Sequence, residues 1–373
     1  MRYAKYIRTH YALPPMSFNV KEMTIQESFQ PPLYYMVSAV LLLPNPALIT
    51  SIFLLRFLSL TLAVVTIWFI WKCALVVFPK NYSIAAASMA VTAFNPEFLY
   101  VNCGITNISM MGLTCTLMAY AMLLIATEKT KLGLRCCLMG FAFGAALLSR
   151  TFTICLALPA AAAIYVADRK NLIRYCVIFG ISTLAVCSWW YIRNWINYGD
   201  PFAWKLFQHT VGSDWIRKEP FNLFYIAQSL AFMHAYFWAY FGKNTYHAQV
   251  PDYAVYLLLM VLGVIGVVEI LRKRKSDSGF QRTAFVLLLF TALVAFAEIL
   301  ALQFRISSPQ GRYLFMVIAP FSVAFGAGLA RLFPEKYQAR GSRLIVLCFF
   351  GMCVYILLRY WLPHYTHATF LPQ

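Results

Sequence analysis

Long apolar runs, separated by short charged or Pro/Gly-rich breaks, set the pattern of this chain. Ten of them, residues 49–78, 84–101, 106–126, 134–148, 152–167, 172–191, 252–271, 283–303, 313–331 and 343–361, approach or exceed the roughly 20 residues of helix that cross a hydrocarbon core. The expectation is an all-α, polytopic membrane protein of about ten transmembrane helices. Residues 33–43 are also apolar, but as a helix they would reach only about 16 Å, half a core. They read as an interfacial or re-entrant segment.

Four regions follow: an outer first segment with an interfacial helix (1–48), spanning helices (49–191), an outer loop with an interfacial aromatic helix (192–251), and spanning helices with a short outer tail (252–373). In the 192–251 loop, residues 221–241 are crowded with Phe, Tyr and Trp, with Gln228 and His234 as the strongly polar interruptions. Rings at headgroup depth suit a helix lying in the interface. The rival is a further spanning helix. Gly140 and Gly144 form a GxxxG pair in the fourth run, the spacing of a close helix contact.

Composition removes whole classes. Of 373 residues 61% are hydrophobic and 12% charged, with a mean hydropathy of +0.67, about half the charge of a soluble domain. A cytosolic enzyme, a secreted disulfide scaffold and a disordered chain are excluded. The net charge of +18 would suggest nucleic acid in a soluble protein, but here loops collect Lys and Arg by topology; no nucleic-acid partner is expected. About half of the 31 basic residues fall in the breaks at 79–83, 127–135, 168–174, 272–282 and 331–343, which makes those loops cytoplasmic and places both chain ends outside. All six His, at 10, 209, 234, 247, 364 and 367, then lie outside. Either polar chemistry is concentrated there, or spans and basic loops simply leave little room for His. Ten Cys without a CxxC pair indicate neither a disulfide framework nor a zinc site.

No GxxxxGK[ST], GxSxG or HExxH occurs. Candidate chemistry gathers instead in four outer patches. In Glu27-Ser-Phe-Gln30-Pro31-Pro32-Leu33-Tyr34-Tyr35 a carboxylate and an amide precede a Pro-Pro stop, which fixes their depth; a helix-entry signal is the plainer reading. Trp189 to Pro201 carries Arg193, Asn194 and Asp200 among interfacial aromatics. Arg305 to Tyr313 carries Arg305, Gln310, Arg312 and Tyr313. These guanidiniums suit a phosphate as well as they suit a snorkelling anchor. Glu97, Asn102 and Asn107 surround the fourth patch, and Glu298 inside the eighth run must face protein or water.

QPPLYY at 30–35, WYIRNWINYGDPF at 190–202 and QGRYLF at 310–315, in that order, resemble the GT-C superfamily of membrane glycosyltransferases, in particular bacterial multi-pass proteins akin to aminoarabinose transferases and protein O-mannosyltransferases. The resemblance runs from about Met1 to Leu332. It implies transfer of a sugar from a polyprenyl-phosphate carrier to an acceptor at the outer face of the inner (plasma) membrane, an acidic residue in the first outer loop as base or metal ligand, and a surface cavity for the lipid phosphate. The likeness therefore points to an enzyme whose partners are a lipid-linked sugar and membrane lipid. A divalent metal is left open.

Two departures accompany it. Relatives begin with another spanning helix and an acid before a segment like Arg2-Tyr-Ala-Lys-Tyr-Ile, so this chain looks N-terminally short; where relatives often carry Asn-Asp, it reads Asn107-Ile108. On this reading Glu27 is the retained catalytic carboxylate with Gln30 beside it, and Glu22 is its substitute. Arg193, Asn194, Arg305, Gln310, Arg312 and Tyr313 are the donor-phosphate candidates, Asn107 and Asp200 further polar candidates, and His209 and His247 metal or acceptor contacts. Arg312 with Glu27 or Arg193 is expected to line one outward pocket. The competing readings are a transporter or flippase using Glu97 and Glu298, against which the lack of an inverted repeat speaks, and an inactive envelope-polysaccharide scaffold.

Overall fold

The computed structural model describes residues 1–15, 28–128, 130–209, 215–242, 246–272, 281–307 and 309–363. Helices follow the apolar runs closely. The chain opens with α1 (Arg2–His10) and the short α2 (Leu33–Leu41), whose nine residues cannot cross a bilayer. The first half continues with α3 (Leu48–Val77), α4 (Tyr82–Ala93), α5 (Pro96–Asn102), α6 (Ile108–Thr127), α7 (Leu132–Leu147), a 3-10 segment at Thr151–Leu156, α8 (Ala157–Ala167) and α9 (Leu172–Tyr198). After α10 (Trp204–His209) come α11 (Leu223–Trp238), a two-residue hairpin of β1 (Tyr240–Phe241) and β2 (Tyr246–His247), α12 (Val250–Arg272), α13 (Arg282–Leu302), a 3-10 segment at Gly311–Val317, α14 (Ile318–Arg331) and α15 (Gln338–Ile356).

Among the described residues seven helical stretches are long and apolar enough to span, and the pair α4–α5, bent by 60°, makes an eighth. Residues 132–147 and 151–167 form shorter apolar helices. The ten sequence runs thus each hold a helix. Two ends differ from expectation. Gly199, in the left-handed region at φ 65°, stops α9 about two turns later than the run suggested; Arg193 and Asn194 therefore lie on a helix rather than in a loop. The last helical stretch likewise starts at Glu335 rather than near 343.

Burial sorts the helices. α6 and α14 are enclosed almost throughout, whereas α3, α9 and α12 keep most of their apolar surface on the outside, as expected where lipid replaces water. Small residues set the seams. A Cβ at Gly140 would stand 2.5 Å from the Phe179 carbonyl oxygen and one at Gly144 2.8 Å from that of Thr183, so the GxxxG pair is the contact of α7 with α9. Thr183 Oγ1 also donates to the Gly140 carbonyl at 3.2 Å. Between α12 and α14, a Cβ at Gly266 would meet the Gly328 oxygen at 1.8 Å.

At one end of the bundle α11 lies across the helix ends. Asn222 caps it by accepting from the Tyr225 amide at 2.8 Å. Its 16 residues span about 24 Å, and its buried side presents Met233, Phe237 and Trp238 to the core. Gly311 allows this docking. A Cβ there would sit 1.9 Å from the Met233 carbonyl oxygen.

Candidate functional site

The residues beside α11 form a connected belt at that end of the bundle. Asn95 caps α5 by accepting from the Phe98 amide at 2.9 Å, while its Nδ2 donates to the Phe237 carbonyl at 3.0 Å. The bend between α4 and α5 is thereby fixed to α11. It aims Glu97, fully buried in the first turn of α5, at the hairpin, where Glu97 Oε2 accepts from the Tyr240 amide at 3.2 Å. Glu97 Oε1 has no hydrogen-bond partner. Arg312 is the positive charge that acts on this carboxylate; its Nε donates to Gln310 Oε1 at 2.8 Å. The same neighbours act on Tyr236: burial, then Tyr240, push its phenol up to about 12, with Arg312 pulling down and Glu97 pushing up.

Tyr313 leads away from that flank, its ring 5.4 Å from that of Phe152 in the 3-10 segment after α7. Two residues before Phe152 stands Arg150, and before it Ser149, whose carbonyl accepts from Asn107 Nδ2 at 3.4 Å. Asn107 Nδ2 makes its shorter bond, 2.7 Å, to Gln30 Oε1. Gln30 Oε1 also accepts from the Tyr35 hydroxyl at 3.2 Å. The Leu33 amide bonds the Leu148 carbonyl at 3.1 Å, so the Pro-Pro entry of α2 is seated on the end of α7. Tyr35 stacks on Tyr3 at 4.3 Å, and burial pushes the Tyr3 phenol up while Arg193 opposes it. Arg193 lies over the Trp190 ring at 5.2 Å and donates to Asn194 Oδ1 at 3.2 Å. Asn194, itself buried, donates to the Pro201 carbonyl.

The sequence candidates therefore separate. Gln30 and Asn107 touch, Gln310 and Arg312 touch, Arg193 and Asn194 touch, and Tyr313 links two of these pairs through Phe152. Glu22 and Glu27 lie outside the described residues. Arg305 is exposed, and its backbone joins residues 215–217 through the Arg217 amide. Asp200 accepts from the amides of Phe202 and Lys205, which makes it the cap of α10. His209 is exposed and bonds the Lys205 carbonyl. His247 stacks on Tyr240 at 5.1 Å, which stacks in turn on Tyr236 at 4.1 Å. Beside that ladder a cavity of about 740 Å³, lined chiefly by Phe232, Tyr240, His247, Pro251 and Tyr253, opens between α11 and α12; neither Arg193 nor Arg312 lines it. No group of three or more His, Cys, Asp or Glu that could hold a metal occurs among the described residues. Arg150 and Ser149 were overlooked as site residues. Their signal was a polar Ser-Arg pair ending a span at the level of the other patches.

A bundle of this kind, with α4 and α5 bent by 60° and the aromatic α11 packed beside the hairpin, is that of a multi-pass helical membrane protein. Residues 30–192 match the family of dolichyl-phosphate-mannose-protein mannosyltransferases. The fold is shared with crystal structures of ArnT from Cupriavidus metallidurans: the apo form aligns with a TM-score of 0.60 and the form bound to undecaprenyl phosphate with 0.56, each at 14% identity over 93% of this chain. The chain spans 57% and 58% of the length of those two structures. No curated protein sequence matches the chain. The likeness to GT-C glycosyltransferases is thus borne out by the family match over 30–192, which includes QPPLYY, and by the fold.

Proposed function

We propose that this protein transfers a sugar from a polyprenyl-phosphate donor to an acceptor at the extracytoplasmic face of the bacterial inner membrane, the belt end of the bundle facing outward. The observation that carries the reading is the belt itself, in which Gln30, Asn107 and Ser149 meet at one point of a fold shared with a protein seen bound to undecaprenyl phosphate. In this mechanism Glu27, three residues before Gln30, takes the proton of the acceptor hydroxyl as it attacks the anomeric carbon. The bond to the carrier phosphate breaks, and cationic side chains receive the departing oxyanion. Gln30 and Asn107, locked to each other, hold the first segment against α6 so that the base keeps its position.

The test is transfer of a labelled sugar from a polyprenyl-phosphate donor by the full chain in liposomes. Glu27→Gln is expected to lower the rate by about 10²-fold or more. A chain that binds no polyprenyl-phosphate sugar, together with Glu27→Gln cells indistinguishable from wild type, would overturn the reading.

A further inference from the structure

The cavity of about 740 Å³ beside the hairpin takes no part in the transfer proposed above. Its wall on α11 is a single strip: Gln228, Ala231, Phe232 and Ala235 follow the i, i+3, i+4, i+7 spacing of one helix face. Two of these side chains are only methyl groups, and their small size opens the groove. The facing wall is the start of α12, with Val250, Pro251 and Tyr253. At about 30 Å³ for a group the size of a water or a methylene, the cavity holds roughly 25 of them. That is room for one hydrocarbon chain.

The chemistry of the walls is apolar. No Lys, Arg, Asp or Glu lines the groove among the described residues. Its polar side chains are turned to the protein's own backbone: the Tyr253 hydroxyl donates to the Ala239 carbonyl at 2.7 Å, and His247 Nδ1 donates to the Ala248 carbonyl at 2.9 Å. The Gln228 and Gln249 amides stand on exposed residues at the rim. A polar ligand would lose its hydration inside such a groove with little in return. The groove also runs on into lipid-facing surface. On the strip of α12 that starts at Val250, Leu257, Leu258 and Val261 are all exposed, on a helix that keeps most of its apolar surface outside the bundle. Phe224, one turn before Gln228 on the α11 strip, is exposed as well.

We propose that the groove between α11, the hairpin and α12 holds one acyl chain of a glycerophospholipid drawn from the surrounding bilayer. The chain lies against Ala231, Phe232 and Tyr253 and wedges α11 to the first turn of α12. It covers apolar surface that would otherwise meet water at headgroup depth. The occupant is a bilayer lipid rather than a substrate, so the site stands apart from the sugar-transfer reading, and neither Arg193 nor Arg312 lines it.

The experiment incubates the detergent-solubilised full chain with a phosphatidylethanolamine that carries a photoreactive group in one acyl chain, and maps the labelled residues by mass spectrometry after illumination. Expected is label on the groove residues of α11 and α12, competed by unlabelled phosphatidylethanolamine. Ala231→Phe puts a ring into the groove from an exposed position and should lower that label about tenfold. Val261→Phe, on the lipid-facing strip outside the groove, should leave it unchanged. Thermal unfolding reports whether each variant is folded, and Gln228→Phe, which narrows the same strip, serves where Ala231→Phe is not. Absence of groove label in the wild-type chain overturns the proposal, as does undiminished label in a folded groove variant. A polyprenyl monophosphate or a soluble oligosaccharide that competes better than phosphatidylethanolamine overturns it too, by assigning the groove to a carrier tail or to an acceptor. Groove label in a chain that transfers no sugar leaves the lipid site standing and removes the transfer reading; transfer without groove label does the reverse.

Discussion

The two flanks of Gly311–Val317 handle buried charge in opposite ways. On one side the buried Glu97 accepts from the Tyr240 amide, while Arg312, bonded to Gln310, acts on it without an ion pair among the described residues. On the other side Arg150 has no counter-charge among the described residues, and its Nε is buried without a hydrogen-bond partner. The Glu97 bond to the Tyr240 amide is architecture: it fixes the hairpin against α5. A buried charge without a partner is costly to keep.

The strongest way to break the comparison is to remove what holds both flanks in place. Gly311→Ala forces a methyl group into the Met233 carbonyl, so α11 must lift from the 3-10 segment. A loss of about 3 kcal/mol is expected, read as a large fall in the thermal midpoint in detergent; an unshifted midpoint would mean that α11 is not docked there.

Next in size is the difference between the flanks themselves. Glu97→Ala strands the Tyr240 amide, at a cost of about 1–3 kcal/mol. Arg150→Gln should change stability by less than about 1 kcal/mol, since no side-chain partner among the described residues is lost. Equal destabilisation by the two substitutions would erase the distinction. Smaller again is the coupling between Gln30 and Asn107. A double-mutant cycle with Ala at both positions should return about 0.5–1.5 kcal/mol, and zero coupling would separate the first segment from α6.

How much of this was legible in the sequence depended on the physics of each feature. The spans could be read because lipid demands apolar length: each of the ten runs holds a helix, and eight of them, with the bent α4–α5 counted as one, are of spanning length. The α7–α9 seam was legible because Gly140 and Gly144 are four residues apart, the one spacing that puts two missing side chains on the same strip of helix. The Gln30–Asn107 bond joins residues 77 apart in sequence, and no local pattern encodes such a meeting. Arg193 read as a loop cation because the aromatic cluster marks the interface, whereas the helix carries on to Gly199. That Arg150 Nε is buried without a partner is a property of three dimensions, which no sequence pattern carries.

The smallest effect concerns pH and the edge of the compensated flank. His234, half-buried on α11, has a ring nitrogen Nε2 3.1 Å from the Tyr253 carbonyl; a carbonyl only accepts, so this nitrogen carries the hydrogen. Burial lowers the His234 pKa, and the bond to Tyr253 raises it by less, leaving it below the usual value of 6.5. The folded protein therefore binds a proton at His234 less readily than the unfolded chain does. By linkage, stability is intact above the unfolded pKa and declines as pH falls below about 6.5 towards the depressed folded value. This is opposite in sign to a His held by a carboxylate. His234→Gln offers an amide that can still donate to Tyr253 and cannot titrate, so its thermal midpoint should fall less than that of wild type between pH 7.5 and 5.5. Parallel falls would place the acid-sensitive group elsewhere and leave the join of α11 to α12 without a titrating element.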